Sequence, residues 1–192
     1  MARTCVLVLI IMLLLSCTSN NKVIVIQPLG DFPQKDAEIV LKEILKLNPN
    51  TVLRKNIPFP SSAYYKPRNR YRADLTIKHL KEHIGQDSVI VGLSNKDIST
   101  TNGKIKDWGV MGLGYQPGKS CIVSNYRLSQ TNKREQFHKV VLHELGHTQG
   151  LPHCPNKTCL MRDAEGKNVL DQETGFCKPC KKHLISKNWK IK

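Results

Sequence analysis

The sequence has 192 residues, enough for one domain with a sizeable core and too few for two domains of ordinary size. It contains 30 Lys and Arg against 15 Asp and Glu, and the net charge of +15 favours anionic neighbours such as phospholipid headgroups or nucleic acid. The basic residues are spread along the chain without interleaved aromatic residues, which make up only 6% of the sequence. We therefore expect no specific nucleic-acid binding.

The N-terminus carries an apolar run at residues 6–15, preceded by a single basic residue, Arg3. A membrane-spanning helix needs about 20 apolar residues, so the shorter run predicts a secretion signal, with a buried helix or strand as the alternative. The run ends in the letters LLSC at residues 14–17, which resemble the lipobox of bacterial lipoproteins. We expect residues 1–16 to be removed and residues 17–22 to form a tether. Cys17 would then carry lipid and anchor the exported protein in the bacterial cell envelope.

Strand and helix patterns alternate from residue 23 onward, and we expect residues 23–192 to form a single domain. Residues 23–26 are an apolar run typical of a buried strand. A helix is predicted next, because apolar residues between Ile39 and Leu47 recur at helical spacing until Pro49 ends the pattern. The sequence then predicts a strand over 51–57, a loop over 61–72 and a helix over 74–84.

The middle of the sequence predicts three more strands. Residues 87–93 contain a short apolar run, whereas residues 94–106 are polar and rich in turn formers. Residues 108–115 and 121–126 are joined through the turn signal QPGK, which indicates a hairpin. This order of elements predicts an α/β fold with a twisted, largely parallel sheet. Helices would cover the sheet, and the hairpin would supply an antiparallel edge strand.

Residues 132–149 have helical apolar spacing and contain His143-Glu144-Leu145-Gly146-His147. Histidines four residues apart lie on one helix face, one turn from each other, so both can bind one metal ion at about 2 Å. Glu144 stands beside them, where a carboxylate can take a proton from water activated by the metal. The pattern favours a metal-assisted hydrolase. The alternative is a helix without a metal site, whose histidines face solvent or pack in the core.

A second histidine pair in the same chain serves as a comparison. His79 and His83 have the same spacing, but no glutamate follows the first histidine and no third ligand is near in sequence. We interpret this pair as a solvated helix face. His138 and His183 also lack metal-binding partners in sequence, and we expect them at the surface.

The continuation of the first motif strengthens the metal-site hypothesis. Gly150 lies three residues after His147, and His153 lies three residues after Gly150. A glycine can adopt the left-handed conformation that ends a helix and turns the chain back, which would bring His153 in as the third ligand. The full pattern HExxHxxGxxH is the metzincin signature, and it leaves a fourth zinc position for water or substrate.

Four cysteines follow the third histidine in two close pairs, Cys154 with Cys159 and Cys177 with Cys180. Four thiolates at this spacing favour a closed, tetrahedral structural zinc site within residues 154–180. In an exported protein two disulfides are the alternative. Cys121 is left over, and we expect it to be a small buried residue in a strand.

These motifs together resemble the archaemetzincin family. The resemblance rests on HELGHTQGLPHC followed by CLM and CKPC, and on the upstream segments VGLSNKDI and GLGYQPGKSCIVSNYRL, so it covers nearly all of residues 23–192. It implies that Met161 is the Met-turn residue below a catalytic zinc, and that the strand around residues 109–114 borders the cleft at the sheet edge. The gap between Met161 and Cys177 is shorter than the family spacing, and the lipoprotein signal is unexpected for the family.

The sequence therefore predicts a monomeric zinc peptidase with two zinc ions and a peptide or protein substrate. Its metal ligands would be the three histidines, with Glu144 as general base and Arg162 as a candidate to assist the oxyanion. One rival is a non-catalytic, zinc-stabilised binding module that is anchored to a membrane and holds an anionic partner. Another is a peptidase that acts on cell-wall peptides.

Overall fold

The strands of this protein form two sheets. In the computed structural model, which describes residues 22–191, the strands are β1 (Val23–Pro28), β2 (Thr51–Leu53), β3 (Tyr64–Tyr65), β4 (Arg70–Arg72), β5 (Ser88–Ser94), β6 (Ile98–Asn102), β7 (Ile105–Val110), β8 (Gly112–Gly114) and β9 (Ser120–Ser124). The helices are α1 (Gln34–Leu45), α2 (Ala73–Glu82), α3 (Lys133–Thr148) and α4 (Lys178–Ser186). The predicted signal, Cys17 and most of the tether lie outside the described residues.

The main sheet has the order β2-β1-β5-β9-β8. The first four strands are parallel, and β8 pairs antiparallel with β9 at the edge, so the predicted sheet is confirmed. Strands β1 and β5 are buried along almost their whole length, because helices cover both faces of this part of the sheet and both faces therefore carry apolar residues.

Alternate residues of these strands enter two separate cores. Ile24, Ile26 and Val91 face one core, which also contains buried side chains of α1, α3 and α4. Val25 and Ile90 face the opposite core, which α2 covers through Ile77 and Leu80. The period-2 geometry of a strand produces this division, and it places α3 and α4 on the same side of the molecule.

The smaller sheet, of order β3-β4-β6-β7, corrects two predictions. We expected a loop over 61–72 and an irregular polar segment over 94–106, and both contain strands. These strands have two to six residues and carry polar side chains, so they lack the apolar run that indicates a strand. Arg70 is nonetheless only 7% exposed, because it pairs with Asp97 at 3.0 Å and with Asp107 at 3.5 Å.

Two predicted strands also have different limits. The strand predicted over 51–57 ends at Leu53, although the backbone of Ile57 still donates to Pro28 of β1 at 3.2 Å. The strand predicted over 108–115 is divided at Met111, where the chain leaves the small sheet and enters the main one. The predicted helices lie within a few residues of α1, α2 and α3. None of the helices between residues 22 and 191 is both long and apolar enough to cross a membrane.

Candidate active site

Helix α3 and the turn after it bring three histidines together. His143 and His147 lie one turn apart on α3, and Gly150 ends the helix with a φ of +96°. The Leu151 amide donates to the Gly146 carbonyl at 3.1 Å, which turns the chain back toward the helix. One ring nitrogen each of His143, His147 and His153 lies within 4.8 Å of the others, so the predicted set of three can hold a metal ion.

Each of these imidazoles is held by an oxygen at Nδ1. The Nδ1 of His143 lies 2.6 Å from the Leu160 carbonyl, and that of His147 lies 2.8 Å from the Leu151 carbonyl. The Nδ1 of His153 lies 3.2 Å from Oδ2 of Asp163. A carbonyl can only accept, so the first two rings donate from Nδ1 and present Nε2 as a free ligand atom.

Burial keeps two of these rings neutral. It lowers the pKa of His143 to about 4, helped by the neighbouring His147 ring, and it also lowers the pKa of His147. A histidine must be neutral to bind a metal through its ring nitrogen. Both rings are therefore in the ligating form at neutral pH, and their Nε2 atoms lie 3.0 Å apart.

Glu144 is buried beside this cluster under the edge strand β8. Burial raises the pKa of its carboxyl to about 8. A Cβ atom on Gly112 would lie 2.5 Å from Oε1 of Glu144, and a Cβ on Gly114 would lie 3.2 Å from Oε2. Only glycine lets the strand approach the carboxyl so closely.

One carboxyl oxygen of Glu144 is unpaired, which bears on whether a metal fits the site. Its Oε2 is buried and has no hydrogen-bond partner among residues 22–191. A buried carboxylate oxygen without a partner is costly unless a ligand completes the site. Three ring nitrogens, two of them on the helix that carries this carboxyl, are the donor set of a catalytic zinc with an open fourth position, so the residues fit the metal.

Met161 is fully buried below α3. A Cβ atom on Gly146 would lie 2.5 Å from the Met161 sulfur, so the methionine packs directly against the helix turn that carries His147. The backbone also connects the two predicted metal-binding segments, since the Cys154 amide donates to the Met161 carbonyl at 2.7 Å. The role of Met161 as the Met-turn residue below a catalytic zinc stays a prediction.

The four late cysteines form a second cluster. Their sulfurs lie within 4.8 Å of one another, with Cys154 3.6 Å from Cys177 and Cys159 3.8 Å from Cys180. A tetrahedral zinc with Zn–S bonds of about 2.3 Å separates its sulfurs by about 3.8 Å. A disulfide needs about 2.05 Å, and all four thiols are free. The amide of Cys177 points at the Cys159 sulfur at 3.3 Å, as expected for a thiolate ligand.

The other residues named from the sequence have separate positions. Cys121 is fully buried in β9, as predicted. The Arg162 guanidinium donates to Gln172 Oε1 at 2.7 Å and to the Lys157 carbonyl at 3.2 Å, so it is engaged on its own loop. The expectation that His138 and His183 lie at the surface holds only in part, because both are half-buried. Among residues 22–191 the buried Nδ1 of His138 has no hydrogen-bond partner, and Nε2 of His183 contacts the Gln149 carbonyl at 2.9 Å.

Sequence reasoning missed several residues that shape this site. Gly112 and Gly114 could have been suspected, because glycines within a strand pattern indicate a close approach of another group. Asp163 gave no local signal, since it lies ten residues from the histidine that it contacts. The carbonyls of Leu151 and Leu160 are backbone groups, and side-chain motifs carry no information about them.

Comparisons with known proteins agree with this geometry. Residues 21–186 match peptidase family M54. An archaemetzincin of Methanopyrus kandleri is 31% identical over 143 residues, which cover 72% of this chain and 79% of that protein. An archaemetzincin of Natronomonas pharaonis is 26% identical over 176 residues, which cover 83% of this chain and 98% of that protein.

Solved structures share the fold. The crystal structure of the Methanopyrus kandleri archaemetzincin has a TM-score of 0.73 at 24% identity and covers 88% of this chain and 96% of that chain. The archaemetzincin of Archaeoglobus fulgidus, solved with malonate, has a TM-score of 0.71 at 24% identity, with 83% of this chain and 98% of that chain covered. A zinc-dependent peptidase from Methanocorpusculum labreanum has a TM-score of 0.70 at 22% identity, with 84% and 99% covered.

Proposed function

Because this chain belongs to peptidase family M54 and is a zinc metallopeptidase, we propose that His143, His147 and His153 hold its catalytic zinc and that Glu144 is its general base. The observation that carries the proposal is the convergence of three ring nitrogens within 4.8 Å of one another, on and just after the helix that also carries the buried carboxyl of Glu144. The alternative of a non-catalytic binding module finds no support, since a purely structural zinc needs no base beside its ligands.

The zinc, Glu144 and strand β8 have different roles in peptide hydrolysis. When bound, zinc supplies Lewis-acid chemistry that acidifies water and polarises the carbonyl of the scissile bond. Glu144, in its ionised form, takes the proton of the attacking water and returns it to the nitrogen of the leaving amine. The cover of β8 over Glu144 keeps bulk water from this carboxyl, which strengthens its interactions with the reacting groups.

The free edge of β8 is the proposed place for the substrate backbone. The Met111 carbonyl accepts from the Ser124 amide of β9 at 2.8 Å, and the Tyr115 amide donates to the Ser120 carbonyl of β9 at 3.2 Å. By the alternation of an antiparallel ladder, Gly112 and Gly114 direct their N–H and C=O groups to the open side of the sheet. An extended peptide can add there as an antiparallel strand, next to Glu144.

The test separates catalysis from metal binding. Glu144→Gln keeps the shape of the side chain and removes the base, so cleavage of a peptide found in a mixed library should fall by at least ~10²-fold. The zinc content should stay unchanged. If the variant cuts the same peptide at the parental rate, Glu144 is not the base. Cleavage of the same library defines the sequence preference, and a chelator should abolish it. Including cell-wall peptides in the library shows whether they are preferred over peptides from proteins.

A second, structural zinc on Cys154, Cys159, Cys177 and Cys180 is also proposed. The sulfur distances and the N–H contacts to Cys159 support thiolate ligation over disulfides. Metal analysis of the purified protein should give two zinc ions per chain. One zinc together with four oxidised thiols would mean two disulfides in place of this site.

Export and lipid attachment are proposals from residues 1–17. A lipid on Cys17 would anchor the protein in the bacterial cell envelope through a tether of a few residues. Cys17→Ser should release the protein from membranes or leave the signal uncut. Unchanged fractionation and unchanged precursor size would contradict the anchor.

A further inference from the structure

The C-terminal segment has a charge composition unlike the rest of the chain. Residues 174–192 contain six of the lysines and no Asp or Glu. Lys178, Lys182 and Lys187 are exposed, and none of them pairs with a carboxylate among residues 22–191. This segment contains Cys177 and Cys180 of the four-cysteine cluster and takes no part in the proposed catalysis.

Helix α4 presents these lysines together with an apolar residue. The helix buries Cys180 and Leu184 against the core, and on its outer side Ile185 is 51% exposed. A shallow groove of about 530 Å³ runs along this side, lined by Phe176, Lys178, Lys181, Lys182, Ile185 and Ile191. We call Lys178, Lys181, Lys182 and Ile185, which share this side of the helix, the α4 face.

The tail that follows α4 lies in the part of the molecule where the described chain begins. The Lys190 amide donates to the Leu47 carbonyl at 2.7 Å, just after α1. Three residues after Leu47, the Asn50 carbonyl accepts a hydrogen bond from the Ile24 amide at 2.8 Å, and Ile24 is the second residue of β1. The C-terminal tail and the attachment point of residues 17–22 are therefore neighbours, and such a tether spans at most ~20 Å.

From these contacts we propose that the α4 face docks on the surface of an anionic phospholipid bilayer. Lysines on such a face reach the headgroup phosphates while their stems and Ile185 lie against the acyl boundary. Each lysine near an anionic surface strengthens binding by roughly fivefold. A single lipid chain gives only marginal attachment, and a basic patch beside it makes the attachment stable.

The composition of the α4 face favours lipid over nucleic acid. Single-stranded nucleic acid is held by exposed aromatic rings that stack on bases, but Phe176 and Trp189, on either side of α4, are only 6% and 3% exposed. An exposed isoleucine among lysines suits an interface with an apolar side, which phosphate backbones lack. The proposal is independent of the peptidase activity, because no residue of the α4 face lies in the histidine site.

The test measures vesicle binding by the full chain with Cys17→Ser, so that no lipid is attached. Vesicles of phosphatidylglycerol and phosphatidylcholine in equal parts are compared with vesicles of phosphatidylcholine alone. A variant with Lys178→Glu, Lys181→Glu and Lys182→Glu should bind the anionic vesicles at least ~100-fold more weakly. All samples share residues 1–22, so any contribution from the apolar run is the same in each.

A matched variant controls for total charge. Lys66, Lys78 and Lys104 are exposed, lack carboxylate partners among the described residues and belong to α2 and the small sheet. Changing these three to Glu alters the net charge by the same amount. This control variant should still bind the anionic vesicles at least ~10-fold more tightly than the α4 variant. Equal losses in the two variants, or equal binding to both kinds of vesicle, would overturn the proposal.

Two further measurements decide between partners. Ile185→Ser should weaken binding to anionic vesicles, and hydrogen exchange of residues 178–191 should slow when these vesicles are added. A double-stranded DNA fragment at matched phosphate concentration is the competitor. If the protein prefers the DNA and loses that binding in the α4 variant, the face binds nucleic acid and the membrane proposal is wrong.

Discussion

Two histidine pairs with the same spacing have very different surroundings in this molecule. On α2, His79 and His83 have ring centroids 4.3 Å apart, and on α3, His143 and His147 have centroids 4.6 Å apart. His79 is half-buried and His83 exposed, and within residues 22–191 the Nδ1 of His83 contacts the His79 carbonyl of the same helix at 2.8 Å. The α3 pair receives its Nδ1 partners from separate loops.

The difference shows what spacing alone leaves undecided. The helix places two rings on one face in either case. Only on α3 do the carbonyls of Leu151 and Leu160 orient both rings, and only there does His153 add a third nitrogen. Among residues 22–191, the α3 pair belongs to a group that can hold a metal and the α2 pair does not. A metal site therefore requires oriented rings and a third ligand in addition to the spacing.

The largest effect should come from removing a ligand. His147→Ala leaves two nitrogens for the catalytic zinc, so its zinc affinity should fall by more than the ~10²-fold that losing an outer partner costs. Peptide cleavage should disappear with it. Metal analysis should show the loss of the histidine-bound zinc alone. Loss of both zinc ions would mean that the histidine and cysteine clusters fold as one unit.

Gly112→Ala tests whether the close approach of β8 positions Glu144. The α2 histidine pair has no glutamate at the corresponding place. The new Cβ would lie 2.5 Å from Oε1, so the carboxyl or the strand must move, and a shift of about 1 Å can lower kcat by ~10- to 100-fold. Zinc content should stay unchanged. Gly114→Ala, with contacts of 3.1 to 3.2 Å, should cost less.

Gly85→Ala is the control for the glycine series, because nothing lies within 4 Å of its Cβ position. Its cleavage rate should equal that of the parent protein. If Gly112→Ala also leaves kcat unchanged, the close approach of β8 has no part in positioning Glu144.

Asp163→Asn examines the outer partner of the third histidine. The carboxylate lies 3.2 Å from Nδ1 of His153, and partners of this kind contribute ~10- to 100-fold to metal affinity. Since the side chains of His153 and Asp163 are 47% and 57% exposed, we expect a loss of about tenfold. Competition with a chelator measures it, and an unchanged affinity would show that the contact does not orient the ring.

His83→Ala should have the smallest effect of all. The ring is exposed and belongs to no group of metal-binding side chains among the described residues. Zinc content and cleavage rate should match those of the parent protein. A lost zinc ion in this variant would contradict the distinction between the two helices.

The sequence predicted the main sheet and the histidine cluster because both depend on local patterns. Apolar runs indicated β1 and β5, and the fixed pitch of a helix requires His143 and His147, four residues apart, to share one face. The small sheet could not be predicted in the same way. Its strands are short and polar, and Arg70 is buried only because Asp97 and Asp107 come from other parts of the small sheet to neutralise it.

The sequence by itself determined which residues can bind metal, since the spacing of His143, His147 and Gly150 dictates their local geometry. The tertiary structure decided what surrounds them: the strand over Glu144 and the oxygen behind each imidazole. The physical reason is the range of the interactions. Helix spacing and a left-handed glycine act within one or two turns, whereas these contacts join segments far apart in the chain and exist only once the sheet has assembled.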